Sequence, residues 1–91
     1  MNLEAIKKLM YKQDFREAEK LLQKSLTTEK DKFMVFYFLG LVYFELRILD
    51  KSIQFFEESL KLRPNNISAY LKLAVLYQTM GDIESSKINY L

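Results

Sequence analysis

The sequence predicts an all-α fold of about six helices arranged in consecutive antiparallel pairs, and three observations predict it. The chain repeats itself with a period of 34 residues, so that Ser52 corresponds to Ala18 and Ser86, and Tyr43 to Tyr77. Helix breakers are scarce, because the 91 residues include only two Gly and one Pro. Apolar residues recur at spacings of three and four, which is typical of amphipathic helices.

Six helical segments follow from this pattern, with polar or helix-breaking residues between them. Their expected bounds are about 2–12, 15–26, 32–46, 49–62, 67–80 and 83–91. Pro64 ends the fourth helix because the residue before a proline is pushed out of the helical region. Gly81 is expected at a left-handed position that ends the fifth helix. The expected N-caps of the second, third, fifth and sixth helices are Asp14, Thr28 or Asp31, Asn66, and Asp82.

Gly40 lies in the middle of the third predicted helix, where glycine costs about 1 kcal/mol relative to alanine. A missing Cβ allows a neighbouring helix to approach closely, so we expect the tightest helix contact at this residue. On the fourth helix, Glu57 and Lys61 are four residues apart and are expected to form an ion pair.

Composition excludes several classes of function. A net charge of +2 gives no electrostatic basis for binding nucleic acid or a membrane surface. The chain has no Cys and no His, which excludes disulfides, metal sites built on those residues and catalysis by a His base. No signal-peptide pattern is present at the N-terminus, so a cytoplasmic protein is expected. The uncharged stretch 33–44 would span only about 18 Å as a helix, too short to cross a bilayer.

The remaining candidates for chemistry have simpler structural interpretations. The pair Glu57 and Glu58 is predicted on an outer helix face, where solvated carboxylates are ordinary. Lys7, Lys8 and Lys12 form a basic ridge, but neighbouring acidic residues dilute its charge. The two glycines are 41 residues apart and form no phosphate-binding loop. We therefore predict neither a cofactor nor an enzyme.

The central segment resembles the tetratricopeptide repeat family. It reads Phe36-x-x-Leu39-Gly40-x-x-Tyr43, then Ser52-x-x-x-Phe56, then Pro64, with Phe where the family usually has Trp and Ser where it usually has Ala. The resemblance implies one domain over residues 1–91, folded as a right-handed superhelical stack. Its repeats would cover about 1–32, 33–66 and 67–91, the last one truncated.

The resemblance also implies where a ligand would bind. In this family the first helix of each pair lines a concave surface, here the first, third and fifth helices. The positions that face this surface are mostly apolar although family packing does not require it, and the predicted peptide-binding residues are Leu3, Lys7, Met34, Tyr37, Phe38, Leu41, Phe44, Leu71, Lys72 and Val75. Among the positions with which one subclass grips a C-terminal carboxylate, only Lys72 carries the expected cation, so that mode of binding is not predicted.

Two functions therefore remain open. The first is a non-catalytic protein–protein interaction module that binds a peptide or helical segment in a hydrophobic groove. The alternative is a self-assembling scaffold whose repeats stack or swap between chains. The scaffold is suggested by the uncapped sixth helix, which is expected to expose Ile83, Tyr90 and Leu91 and to favour a homo-oligomer.

Overall fold

The protein is an array of five helices, as seen in a computed structural model that describes the backbone of residues 2–89 and the side chains of residues 2–81. The helices are α1 (Leu3–Tyr11), α2 (Phe15–Thr28), α3 (Phe33–Glu45), α4 (Leu49–Leu62) and α5 (Ile67–Asn89). The described backbone contains no strand. The predicted all-α class is confirmed, and all five helix starts lie within one residue of their predicted positions.

Each helix packs mainly on the helices that precede and follow it in the chain. A first apolar cluster joins α1, α2 and α3 through Ile6, Leu22 and Leu39, among others. A second joins α4 and α5 through Phe56 and Leu73, and half-buried residues of α3 pack against it. The result is an elongated stack of 47 × 29 × 20 Å, as expected when each repeat contacts only its neighbours.

α3 and α4 pack closely at Gly40, where a close contact was predicted. A Cβ placed on this residue would stand 2.9 Å from ring carbons of Phe56 on α4. Ser52 is buried beside it and donates a hydrogen bond to the Gly40 carbonyl oxygen. Two small residues therefore allow α3 and α4 to pack closely enough to enclose the Phe56 ring.

The turns inside the first two helix pairs have the same geometry. Gln13 has φ 66° and Arg47 has φ 63°, and these residues are 34 positions apart. The amide of Asp14 donates to the carbonyl oxygen of Leu9, as the amide of Ile48 does to that of Tyr43. These bonds between residues five apart, after a left-handed residue, define the helix termination usually associated with glycine.

The third turn of this kind does not form, and the prediction of a separate sixth helix is wrong. Gly81 is the next residue in the series, but its φ is not positive and α5 continues through it to Asn89. Glycine permits both helical and left-handed backbone, so its presence alone does not end a helix. The expected exposure of Ile83, Tyr90 and Leu91, and capping by the Asp82 side chain, lie outside the described side chains.

The predicted N-caps are confirmed in part. The side chain of Asn66 accepts a hydrogen bond from the amide of Ala69. Lys32 rather than Asp31 occupies the N-cap position of α3, although the Asp31 side chain accepts a hydrogen bond from the amide of Phe33. Asp14 occupies the N-cap position of α2, but its side chain makes no capping hydrogen bond. Asn2 caps α1 by accepting from the amide of Ala5.

The predicted ion pair between Glu57 and Lys61 is also corrected. Lys61 pairs instead with Glu58, at 2.9 Å. Glu57 accepts a hydrogen bond from the hydroxyl of Tyr77 on α5. The Glu57 carboxylate, which was predicted to pair with Lys61 along α4, therefore binds the hydroxyl of Tyr77 on the next helix instead.

Candidate functional site

The predicted ligand surface belongs to α1, α3 and α5, and its residues differ widely in exposure. On α1, Leu3 is half-buried against the first apolar cluster and Lys7 is exposed. Met34, near the start of α3, is also half-buried against that cluster. Since Leu3 and Met34 are half-buried and Lys7 is charged, these three residues contribute little free apolar area.

Phe38 was predicted to contact a ligand, and the structure corrects this. Its side chain is only 8% exposed and belongs to the first apolar cluster together with Ile6. The neighbouring Tyr37 ring meets it edge-on, with the centroids 5.9 Å apart. Phe38 therefore belongs to the core of the first apolar cluster, and a charged substitution there would test folding rather than binding.

The other three predicted residues of α3 form a continuous half-buried row. Tyr37, Leu41 and Phe44 follow one another at spacings of four and three, and all pack against the second apolar cluster. The Tyr37 ring meets the Phe56 ring edge-on at 5.6 Å. Their inner parts are thus fixed by the core, while their outer parts remain accessible as a rigid apolar floor.

The apolar residues on α5 are much more exposed. Leu71 is 62% exposed and Val75 is 49% exposed. The buried side of α5 is formed by Ala69, Leu73 and Leu76, which lie on the opposite side of the helix. Because these three residues already hold α5 on α4, Leu71 and Val75 are not needed for that packing.

Three exposed cations lie on or directly after these helices. Lys7 and Lys72 are exposed, and neither forms an ion pair with any residue whose side chain the structure describes. The guanidinium of Arg47 lies over the Phe44 ring, 5.4 Å from its centroid. Arg47 was not predicted as a site residue, although its position three residues after Phe44 could have suggested that the two side chains meet.

Two tyrosines mark the junctions between repeats. The hydroxyl of Tyr43 accepts a hydrogen bond from Gln23 at 3.1 Å, and Tyr77 donates one to Glu57 in the corresponding position of the next repeat. Burial raises the pKa of Tyr43, and the hydrogen bond to Glu57 raises the pKa of Tyr77. In both cases the contacts between repeats favour the neutral phenol and thereby raise its pKa. The raised pKa values therefore do not indicate a catalytic group.

Neither metal chemistry nor a membrane span is indicated by the described part of the chain. No group of three or more acidic residues within it gathers in a way that could hold a metal ion. None of its helices is long and apolar enough to cross a bilayer. What the described residues do offer is a set of exposed and half-buried apolar side chains on α3 and α5, with exposed cations on or directly after the same helices.

Comparison with protein families gives two matches. Two family models, each described as a tetratricopeptide repeat, match residues 33–66 and residues 55–87. Together they cover α3 and α4 and most of α5. A search of curated proteins finds no match.

Proposed function

We propose, from the premise that this chain belongs to the tetratricopeptide repeat family, that it is a non-catalytic protein–protein interaction module. Repeats of this family generally mediate contacts between proteins. The ligand is an apolar peptide or helical segment of a partner protein. It binds along the surface between α3 and α5, which we call the inner groove and define by Tyr37, Leu41, Phe44, Leu71 and Val75.

The exposure of Leu71 and Val75 is the observation that supports this function best. Both stand beyond the packed side of α5, so the fold gains nothing from their being apolar. An exposed apolar patch beside an ordered apolar floor usually marks an interaction surface. Because the core holds Tyr37, Leu41 and Phe44 in place, a ligand would lose little free energy in ordering them.

The flanking cations suggest the character of the ligand. Lys7, Arg47 and Lys72 would favour acidic residues beside the apolar stripe of the partner segment, mainly by raising the rate of association. A helix that carries apolar residues on one face and acidic residues beside them satisfies both requirements. The net charge of +2 gives no comparable support for a nucleic acid ligand.

The experiment begins with a displayed library of amphipathic helical peptides, selected against the natural chain. The selected peptides are then titrated against a Leu71→Glu/Val75→Glu variant. Burying one such side chain is worth about 1.5–3 kcal/mol, so we expect affinity to fall at least about tenfold. The matched control is Leu62→Glu, which changes an exposed apolar residue of α4 to the same charge.

Circular dichroism and thermal melting show whether each variant still folds. Loss of binding in a folded double variant, with binding retained in the Leu62→Glu control, supports the groove. Equal affinity for the natural chain and the double variant would contradict the proposal, because the peptide would then bind elsewhere.

A self-assembling scaffold remains the second candidate, and a separate observation favours it. Tyr70 and Tyr77 are both 53% exposed on a side of α5 that lies next to the inner groove. In the preceding repeat, the corresponding residues Phe36 and Tyr43 are covered by α4. Tyr70 and Tyr77 of α5 therefore correspond to residues that pack against another helix in the preceding repeat.

A further inference from the structure

A small apolar cleft opens between the start of α1 and the second half of α2, on residues that the inner groove does not use. Its volume is about 130 Å³. We call it the first-repeat cleft and define it by the residues that line it, which are Asn2, Ile6, Leu21, Lys24, Ser25 and Thr28. Ile6 is 1% exposed and Leu21 is 39% exposed, so the cleft has an apolar base and is open to solvent.

The second repeat has two aromatic rings at the corresponding positions. Phe36 and Phe55 stand 34 positions after Asn2 and Leu21. The two rings stack on each other, with their centroids 6.0 Å apart. The first repeat has neither ring, since an asparagine and a leucine replace them. The smaller side chains of Asn2 and Leu21 therefore account for the cleft.

The core of the first repeat is filled, because two other replacements compensate each other. Ile6 stands where the second repeat has Gly40, and Leu22 stands where it has Phe56. A larger residue on the first helix of the pair thus accompanies a smaller one on the second. Both Ile6 and Leu22 are buried. The missing volume is therefore at the outer positions, where a ligand can reach it.

The cleft also differs from the second repeat in charge. Lys24 stands where the second repeat has Glu58, and the Glu58 carboxylate pairs with Lys61 at 2.9 Å. Thr27 stands where Lys61 does, so the first repeat has no counterpart of this ion pair. Lys24 is exposed and forms no ion pair with any side chain that the structure describes. Its ammonium group is therefore available to a carboxylate of a ligand.

The other polar side chains of the cleft make hydrogen bonds to the backbone of the first repeat. The Asn2 side chain accepts one from the amide of Ala5, and the Ser25 hydroxyl donates one to the carbonyl oxygen of Leu21. The Thr28 hydroxyl donates to the carbonyl oxygen of Ser25. The cleft therefore offers a ligand mainly an apolar surface and one cation.

We propose that the first-repeat cleft binds a phenylalanine side chain that lies next to an acidic residue in a partner protein. The ring occupies the space that Phe36 and Phe55 fill in the second repeat, and the acidic residue contacts Lys24. The volume is sufficient for one ring, because an apolar cavity of about 150 Å³ can bind benzene. The cleft shares no residue with the inner groove, so failure of one proposal does not imply failure of the other.

Capped tripeptides test the ring and the charge separately. The peptide acetyl-Glu-Phe-Glu-amide is titrated into the isotope-labelled natural chain, and amide NMR follows binding. At millimolar peptide we expect saturable shifts at Ile6, Leu21, Lys24 and Ser25. Replacing the Phe of the peptide with Leu should weaken binding at least about threefold, because the aromatic ring is lost. Replacing both Glu residues with Gln should weaken it about twofold to fivefold at low ionic strength, as expected for an exposed ion pair.

Two variants of the chain test the same contacts from the protein side. Leu21→Phe introduces the ring that the second repeat has at Phe55, so it should raise the melting temperature and weaken binding of acetyl-Glu-Phe-Glu-amide at least about tenfold. Leu62→Phe is its control, because Leu62 is an exposed apolar residue of α4 outside the cleft and this variant should bind as the natural chain does. Lys24→Glu changes an exposed side chain and should bind the Gln-containing peptide more tightly than the Glu-containing one.

Several results would overturn the proposal. One is the absence of saturable shifts with acetyl-Glu-Phe-Glu-amide, or shifts confined to residues outside the cleft. Another is equal affinity for the Phe and Leu peptides, because the site would then not distinguish an aromatic ring. Undiminished binding to a folded Leu21→Phe variant would mean that the ring lies elsewhere. If that variant does not fold, Lys24→Glu decides, and an unchanged preference for the Glu-containing peptide would contradict the assigned contact.

Discussion

The hydroxyl of Ser52 donates a 2.7 Å hydrogen bond to the carbonyl oxygen of Gly40, and both residues are fully enclosed between α3 and α4. This bond joins the two small residues that allow the helices to approach. Because Gly40 and Ser52 can each be replaced by a larger residue separately, the effect of residue size at this contact on the free energy of unfolding can be measured.

Ser52→Ala should therefore reduce the stability of the fold only slightly, whereas Ser52→Leu should reduce it more. Alanine removes one hydrogen bond, worth about 1 kcal/mol, and Ala18 already occupies the corresponding place in the first repeat. Leucine would overpack the interface, at a typical cost of about 1–3 kcal/mol. Urea unfolding of both variants measures the difference, and equal stability of the two would contradict this account of the contact.

Enlarging the two glycines should have opposite effects. Gly40→Leu places side-chain atoms against the buried Phe56 ring and should destabilise the fold by about 1–3 kcal/mol. Gly81→Ala is the control, because a Cβ there meets no atom within 4 Å and the backbone is helical. Alanine should stabilise α5 by about 1 kcal/mol at this position. Thermal melting compares them, and destabilisation by Gly81→Ala would indicate a turn at that residue.

A glycine at the first turn should increase stability. Gln13 has φ 66°, a conformation that costs a non-glycine residue about 1–2 kcal/mol. Glycine is freer in the unfolded chain, which offsets part of the gain, so Gln13→Gly should stabilise the protein by about 0.5–1 kcal/mol. The neighbouring Lys12 has φ −79°, and Lys12→Gly should be destabilising instead. Chemical unfolding that ranks the two variants in the other order would refute the role given to this turn.

The contribution of Asp31 to stability should depend on pH. The hydrogen bond from the amide of Phe33, assisted by the charge of Arg63, lowers the pKa of Asp31 from its ordinary value of 3.8. Because the folded-state pKa is the lower one, the stabilisation is present above the ordinary value and is lost as pH falls through the folded pKa. The melting temperatures of the natural chain and Asp31→Asn should therefore converge on acidification. A difference that is constant from about pH 7 to about pH 2 would contradict this assignment.

The sequence predicted the fold largely because the packing positions recur every 34 residues. Phe36, Gly40, Tyr43 and Ser52 were recognisable by size and spacing, and the structure places them at the interface of α3 and α4. The start and end of α4 were predicted at the residues where they occur. Steric requirements of this kind are local and repeated, so they can be identified from spacing alone.

The course of the chain at Gly81 was not predictable in the same way. The two turns before it are made by Gln13 and Arg47, which are not typical left-handed residues, whereas the glycine at the third position remains helical. Glycine is compatible with both backbone conformations, so its presence alone does not decide between them. Local sequence preference is a weak guide when packing determines the choice.

The exposure of the predicted site residues could be predicted only in part, and the reason is physical. Spacing correctly placed Leu71 and Val75 on an exposed side of α5. The same spacing placed Phe38 with them, but this residue is buried in the first apolar cluster together with Ile6. The position of a residue in a helix determines the direction in which its side chain points. Whether that side chain is buried depends on the size of the side chains on the neighbouring helices.

The central claim is that the inner groove binds an apolar segment of a partner, and amide NMR of the natural chain tests it most directly. A peptide selected from the helical library is titrated into isotope-labelled protein, and the shifted amides are located on the structure. The account predicts that the largest changes lie at Tyr37, Leu41, Phe44, Leu71 and Val75. Changes confined to α2 and the outer side of α4, with these five residues unaffected, would contradict it.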